Sequence, residues 1–266
     1  MIKKYSTQII LFFLLISISL SGCSTKAVMP TGADVTWNLV VLGDSSFWEL
    51  GEAYAEQIRQ DVGVQVELHD YAIGSFSAGQ VLDILQGGQT ASQQLRNLPG
   101  DLANADVVVM FLNPNLSETP GYPMDFGGCF SSTATQIGSC DPRSFTVWIE
   151  DLKSIWGEIL RLRDGKPTIL RGTDLYNPLI SDWQKNGIYE ECTQCWMTIS
   201  NAARQAAEAY NIPFLSRLDV VNGPNHDLDP RTMGYIVADG EHPTPLLGQF
   251  TAQKLAELGY EPVTPP

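Results

Sequence analysis

The sequence predicts one α/β domain, a parallel sheet of about five strands between two layers of helices. Three observations carry this. Short, nearly continuous apolar runs recur along the chain, as in strands covered on both faces. Longer segments between them repeat their apolar residues at helical spacing. The two kinds alternate, which is the order that builds parallel sheets through helical crossovers.

The first run, residues 37–43 (WNLVVLG), ends on Gly43-Asp44-Ser45, and a helix follows with Leu50, Ala53, Tyr54, Ile58 and Val62 on one face. The second, 64–69 (VQVELH), leads to Ile73-Gly74-Ser75, and the third, 106–112 (DVVVMFL), to Asn113-Pro114-Asn115. After an interruption at 117–143 comes the most strongly patterned helix, with Trp148, Ile149, Leu152, Ile155, Trp156, Ile159 and Leu160 in one stripe that reads as core. The fourth run, 167–171 (PTILR), is followed by a second interruption at 172–195 and a helix near 197–210. A fifth run, 213–216 (PFLS), and a helix near 245–258 close the pattern. Both interruptions follow strands, so they are expected over the carboxyl edge of the sheet, where open parallel sheets carry their functional groups.

Residues 1–22 stand apart from this domain. Lys3 and Lys4 precede an apolar run from Ile9 to Leu20, shorter than the roughly 20 residues that span a bilayer, which reads as a secretory signal. Its end, Leu20-Ser21-Gly22-Cys23, resembles the bacterial lipobox. That resemblance implies cleavage before Cys23, acylation of Cys23, and an exported protein held on a membrane by a multi-chain lipid anchor. Residues 23–34 then form a polar tether and 35–262 the folded domain.

The formal net charge is −14, and loss of Lys3 and Lys4 with the signal takes it to about −16. Such a balance excludes nucleic acid as a partner and disfavours strongly anionic substrates. Besides Cys23 there are Cys129, Cys140, Cys192 and Cys195, an even number that in an exported chain points to disulfides. The simplest pairing joins Cys129 to Cys140 and Cys192 to Cys195, although three connectivities are open. A four-cysteine zinc site is the alternative, opposed by the single C-x-x-C spacing. A redox role for Cys192-Thr193-Gln194-Cys195 is opposed by its distance from a first strand.

A serine hydroxyl becomes a useful nucleophile when a base removes its proton. Of three histidines, His69 ends a strand and reads as structural, and His226 is a loop residue able to line a pocket. His242 has Asp239 three residues upstream, a carboxylate able to fix its tautomer. Ser45, between a strand and a predicted helix, would have its hydroxyl near the positive end of that helix. Plainer roles compete. Ser45 and Ser77 both suit helix caps, Asn115 suits a turn after Pro114, and Asp239-Gly240 suits a tight turn.

Taken in order over residues 35–260, these blocks resemble the SGNH, or GDSL-type, hydrolases. The resemblance implies a flavodoxin-like, three-layer α/β/α sandwich with Ser45 as nucleophile, His242 as base and Asp239 as its orienting acid. It further implies an oxyanion hole built from the backbone of Ser45 and Gly74 and the side chain of Asn115, with no metal and no cofactor. The chain departs from the family at Ser46, where leucine is common, and at Asn113-Pro114-Asn115-Leu116, where G-x-N-D is common. It has no G-x-S-x-G elbow of the α/β-hydrolases. The implied activity is that of a serine esterase or lipase acting on a small-molecule, glycan or lipid ester. A carbohydrate O-acetylesterase is the rival if the pocket is small and polar, and a non-catalytic cell-surface glycan- or lipid-binding module is the other. Tyr122, Phe126, Phe130, Tyr176, Trp183 and Tyr189, in the two interrupting segments, are placed either to hold a substrate or to pack the loops.

Overall fold

The computed structural model describes residues 28–263 apart from 75, 89–91, 115–127, 138–139 and 141. Five strands, β1 (Thr36–Gly43), β2 (Gln65–Ala72), β3 (Val107–Met110), β4 (Ile169–Thr173) and β5 (Phe214–Leu215), form one all-parallel sheet in the order β2-β1-β3-β4-β5. This is the flavodoxin-like order, whose direction of winding reverses between β1 and β3. Leu39 to Leu42 of β1 and all of β3 and β4 are buried, because helices cover both faces. The edge strand β2 is more open, with a single buried residue, Tyr71.

Helix α1 (Leu50–Val62) packs against α8 (Pro245–Ala256) on one face. On the other, α4 (Thr146–Arg163) is flanked by α2 (Ala78–Leu85), α3 (Leu98–Asn104) and α6 (Tyr189–Glu208). The stripe expected around Trp148 is the centre of this layer, with Trp148, Ile155 and Ile159 fully buried and the Trp148 indole N–H donating to the Leu112 carbonyl at 2.9 Å. Two further short helices are α5 (Ile180–Asn186) and α7 (Arg217–Asn222). The approach of α8 to α1 depends on Gly248. A Cβ there would come within 2.8 Å of the Glu49 carbonyl carbon.

Two expectations are corrected. The segment 172–195 is not irregular, because α5 lies within it and α6 begins at Tyr189, well before residue 197. Cys192, Cys195, Trp196 and Ile199 recur at helical spacing along the buried face of α6, with Ile188 at its N-cap, so an apolar stripe containing two cysteines is readable there. The disulfides also connect differently: Cys129 bonds Cys192 and Cys140 bonds Cys195. Residues 192 and 195 sit one turn apart on the same face of a helix, and both point at the segment that follows β3. With all four sulfurs in disulfides, no thiolate remains for the zinc alternative.

Candidate active site

The Ser45 turn follows directly from β1. Gly43 is required by close packing, since a Cβ at that position would lie 2.5 Å from the Phe47 ring. Asp44 caps the turn, its Oδ1 accepting from the Ser46 N–H at 2.7 Å. Ser45 itself is therefore not the cap, and it opens a single 3₁₀ turn, Ser45–Phe47. The predicted helix starts at Leu50 and is set apart from the Ser45 turn, because Glu49 adopts a left-handed conformation (φ 66°) that breaks the path between the two. The helix-dipole argument for Ser45 is weakened accordingly.

His242 is presented by a folded loop. Ile236 bridges Pro243, Val237 N–H donates to the His242 carbonyl at 2.9 Å, and Gly240 N–H closes a turn on Val237 at 3.0 Å. Asp239 does two jobs here. Its Oδ1 accepts the N–H groups of Glu241 (2.9 Å) and His242 (3.0 Å), which shapes the loop, and its Oδ2 is 2.7 Å from His242 Nδ1. The two backbone donors, first Glu241 and then His242, together with the imidazole, lower the Asp239 pKa to about 2. His242 Nε2 lies 3.0 Å from Ser45 Oγ. Residues 197 apart in the chain thus form one hydrogen-bonded line, Asp239–His242–Ser45.

A residue that the sequence did not single out completes this line. Trp48 stacks on the imidazole, with ring centroids 4.4 Å apart and planes at 17°, and its indole N–H donates to the Ala72 carbonyl at 3.2 Å. Its position three residues after a candidate nucleophile was visible in the sequence, but nothing there tied it to residue 242.

Ser45, Ser46, Asn113, Phe130, Leu175, Pro178, Leu179, Trp196, Glu241 and His242 line a cavity of about 220 Å³. Asn113, just past β3, is therefore at the site, while Asn115 lies outside the described residues. Gly74 follows β2 at the same edge, one residue beyond the Ile73 N–H that bonds the Gly43 carbonyl at 3.1 Å, and it is not among the lining residues. Ser77 is a buried cap for α2, accepting from Gln80 N–H at 3.1 Å in a capping box. Of the interrupting aromatics, Phe130 lines the cavity, Tyr176 and Trp183 are buried, and Tyr189 donates to the His226 carbonyl at 3.1 Å. Tyr122, Phe126 and Cys23 lie outside the described residues. His69 is 3.3 Å from Asp101 and His226 is 2.7 Å from Asp219, and neither lines this cavity.

No protein-family model and no curated protein sequence matches the chain. Among solved structures similar to it is the psychrotrophic esterase EstA from Pseudoalteromonas sp., in a structure inhibited by monoethylphosphonate. It has 10% identity and a TM-score of 0.48, over 83% of this chain and 94% of that one. A DUF4886 family protein from Bacteroides uniformis has 16% identity and a TM-score of 0.48, over 86% and 87%. A gut microbial diltiazem-metabolizing enzyme has 14% identity and a TM-score of 0.42, over 87% of this chain and 48% of that one.

Among the described residues, larger cavities of about 440 and 480 Å³ lie elsewhere. One sits between α1 and α8 and the other at the amino ends of β1 and β3. Neither is lined by Ser45 or His242. Among the described residues no group of three or more His, Cys, Asp or Glu side chains is arranged to hold a metal ion, and no helix is long and apolar enough to cross a membrane.

Proposed function

We propose that this chain is a serine ester hydrolase of the SGNH type acting on short-acyl carboxylic esters. The observation that carries the reading is the Asp239–His242–Ser45 line, with contacts of 2.7 and 3.0 Å at the carboxyl edge of β1. Ser45 Oγ attacks the ester carbonyl carbon while His242 Nε2 takes the hydroxyl proton. The tetrahedral intermediate collapses, the C–O bond to the alcohol breaks, and His242 returns the proton to the leaving oxygen. Water, deprotonated by His242, then attacks the acyl-serine, the bond from the acyl carbon to Ser45 Oγ breaks, and His242 returns the proton to Oγ as the carboxylic acid leaves. Asp239 stays ionised throughout, holding the Nδ1 proton and offsetting the charge of the imidazolium.

For the oxyanion we assign the N–H groups of Ser45 and Gly74 together with a side-chain amide from the segment after β3, either Asn115, which the family pattern designates, or Asn113, which lines the cavity. The cavity of about 220 Å³ falls below the roughly 300–1,000 Å³ of sites for drug-sized ligands. That supports a short acyl group and favours the carbohydrate O-acetylesterase reading over a long-chain lipase. Export and anchoring through Cys23 belong to the same proposal, and two disulfides fit an oxidising compartment.

The deciding experiment is hydrolysis of p-nitrophenyl esters from acetate to palmitate by the wild type and Ser45→Ala. The expected result is a rate that falls steeply beyond butyrate and a loss of about 10⁴–10⁶ in kcat in the variant. Retained activity in Ser45→Ala removes the nucleophile assignment, and a complete lack of hydrolysis by the wild type leaves the binding-module reading.

A further inference from the structure

Neither segment of the triad fixes by itself the 3.0 Å between Ser45 and His242. Ser45 sits on one 3₁₀ turn, and His242 sits on a loop anchored by the isolated Ile236–Pro243 bridge. Between them lies Arg217, 1% exposed, at the start of α7. Its Nη2 donates to the Ser46 carbonyl at 2.6 Å, and its Nη1 is 3.3 Å from Ser46 Oγ. The guanidinium carbon lies over two rings, 5.0 Å from the centre of Phe47 and 4.7 Å from that of Tyr176. The Tyr176 hydroxyl in turn donates to the Glu241 carbonyl at 2.8 Å. An unbroken path of side-chain and backbone contacts therefore runs from the residue after Ser45 to the residue before His242.

We infer that Arg217 and Tyr176 form a buried bracket that sets the Ser45–His242 separation, making both positioning residues for the reaction proposed above, on whose reading the inference rests. The bracket has a rigid foot. Asp174, fully buried just after β4, accepts the N–H groups of Arg217 and Leu218 and the hydroxyls of Ser200 and Ser216. The start of α7 is thereby tied to the sheet. A buried guanidinium is an expensive way to fill space, the more so because Arg217 Nε has no hydrogen-bond partner. What arginine supplies that a hydrocarbon or lysine cannot is a planar fork, which directs two donors at the Ser46 residue while its cation lies over the Phe47 and Tyr176 rings. Displacing a catalytic pair by about 1 Å is enough to cost on the order of 10²-fold in rate.

The test compares oxidised full-length wild type with Tyr176→Phe, Arg217→Lys and Arg217→Met. Tyr176→Phe keeps the ring on the guanidinium and removes only the bond to Glu241. Its kcat for p-nitrophenyl acetate is expected to fall about 10–50-fold with KM within twofold. Inactivation by a fluorophosphonate should slow by the same factor, and the melting temperature should stay within a few degrees. Arg217→Lys should retain more kcat than Arg217→Met, and the double variant Tyr176→Phe/Arg217→Lys should lose little more than the worse single variant, because both act through one bracket. Wild-type kcat in folded Tyr176→Phe overturns the inference, as does a loss that only follows the melting temperature, or full additivity in the double variant. These results can be told apart from failure of the functional reading, which shows instead as activity surviving in Ser45→Ala. If Arg217→Met does not fold, Tyr176→Phe and Arg217→Lys decide alone.

Discussion

The Trp48 indole lies flat over the His242 imidazole, 4.4 Å away and only 17° from parallel, while its own N–H is held by the Ala72 carbonyl. Asp239 and Ser45 fix the two edges of the imidazole, and Trp48 fixes a face. A ring so placed also meets the positive charge that the imidazole gains when it takes a proton, an interaction worth about 0.5–1 kcal/mol at an exposed site. Trp48→Ala is expected to lower kcat roughly three- to tenfold with KM for p-nitrophenyl acetate little changed, and Trp48→Phe to lower it less. Steady-state kinetics of the two variants checks this. Equal losses in both would assign the effect to the Ala72 bond rather than to the stack.

Asp239 carries the pH dependence that the structure makes explicit. Its pKa is depressed from 3.8 to about 2, chiefly by the Glu241 and His242 N–H groups. A depressed carboxylate contributes stability that is fully present above about pH 4 and is lost as pH falls toward 2. The side chain is half exposed, so the contribution is small and local. The loop at 235–244 is expected to keep its amide-exchange protection down to about pH 4 and to lose it below that. Asp239→Asn removes the anion that holds the Nδ1 proton and should cost roughly 10²–10⁴ in kcat. An Asp239 titration measured by NMR above pH 4 would contradict this account.

Asn113 and Asn115 divide on kinetics. If Asn113 donates to the oxyanion, Asn113→Ala should reduce kcat by roughly 10²–10³ with little change in KM, because the bond strengthens only as the carbonyl oxygen gains charge. Asn115→Ala should then do much less. The opposite ranking returns the role to the residue that the family pattern designates.

Reduction should loosen the cavity wall and spare the sheet. The two disulfides close spans of 63 and 55 residues and tie the segment after β3 to α6. At about 2–4 kcal/mol each they should account for several degrees of melting temperature. Far-UV circular dichroism of the reduced protein should still report the α/β core. Peptide mapping under non-reducing conditions should recover Cys129 linked to Cys192.

Glu241 lines the cavity, and the described residues that line it include no lysine or arginine. An ester with a carboxylate on its acyl group should react several-fold more slowly in kcat/KM than its neutral isostere, and Glu241→Gln should narrow that gap. An unchanged ratio would mean that the side chain points away from bound substrate.

The amino-acid sequence makes much of this legible by itself. Continuous apolar runs such as the one from Leu39 to Leu42 announce a doubly covered strand, and the Trp148 stripe announces its helix, because both patterns are local. Residues 45, 239 and 242 are legible as a set through their order and spacing. Relations between distant segments and subtle local breaks are not. Nothing near Cys192 says that its partner is Cys129, since that choice depends on how α6 docks. The left-handed Glu49, which separates the Ser45 turn from α1, carries no glycine to give it away. Trp48 and Arg217 look like ordinary core or surface side chains in the sequence, because their roles come from residues that approach them from far along the chain.

Gly248 has a consequence for how this molecule can be rearranged. The helix that follows His242 rests on the backbone of Glu49, four residues past Ser45, only because position 248 lacks a side chain. The chain stretches 44–62 and 239–256 are thus fitted to each other at this one point of close approach, although they come from opposite ends of the domain. A chimera that imports one stretch from a relative and keeps the other would inherit a mismatched seam right beside the Asp239–His242–Ser45 line. The two are expected to be exchangeable only as a pair, which makes them a single heritable unit despite the long sequence between them.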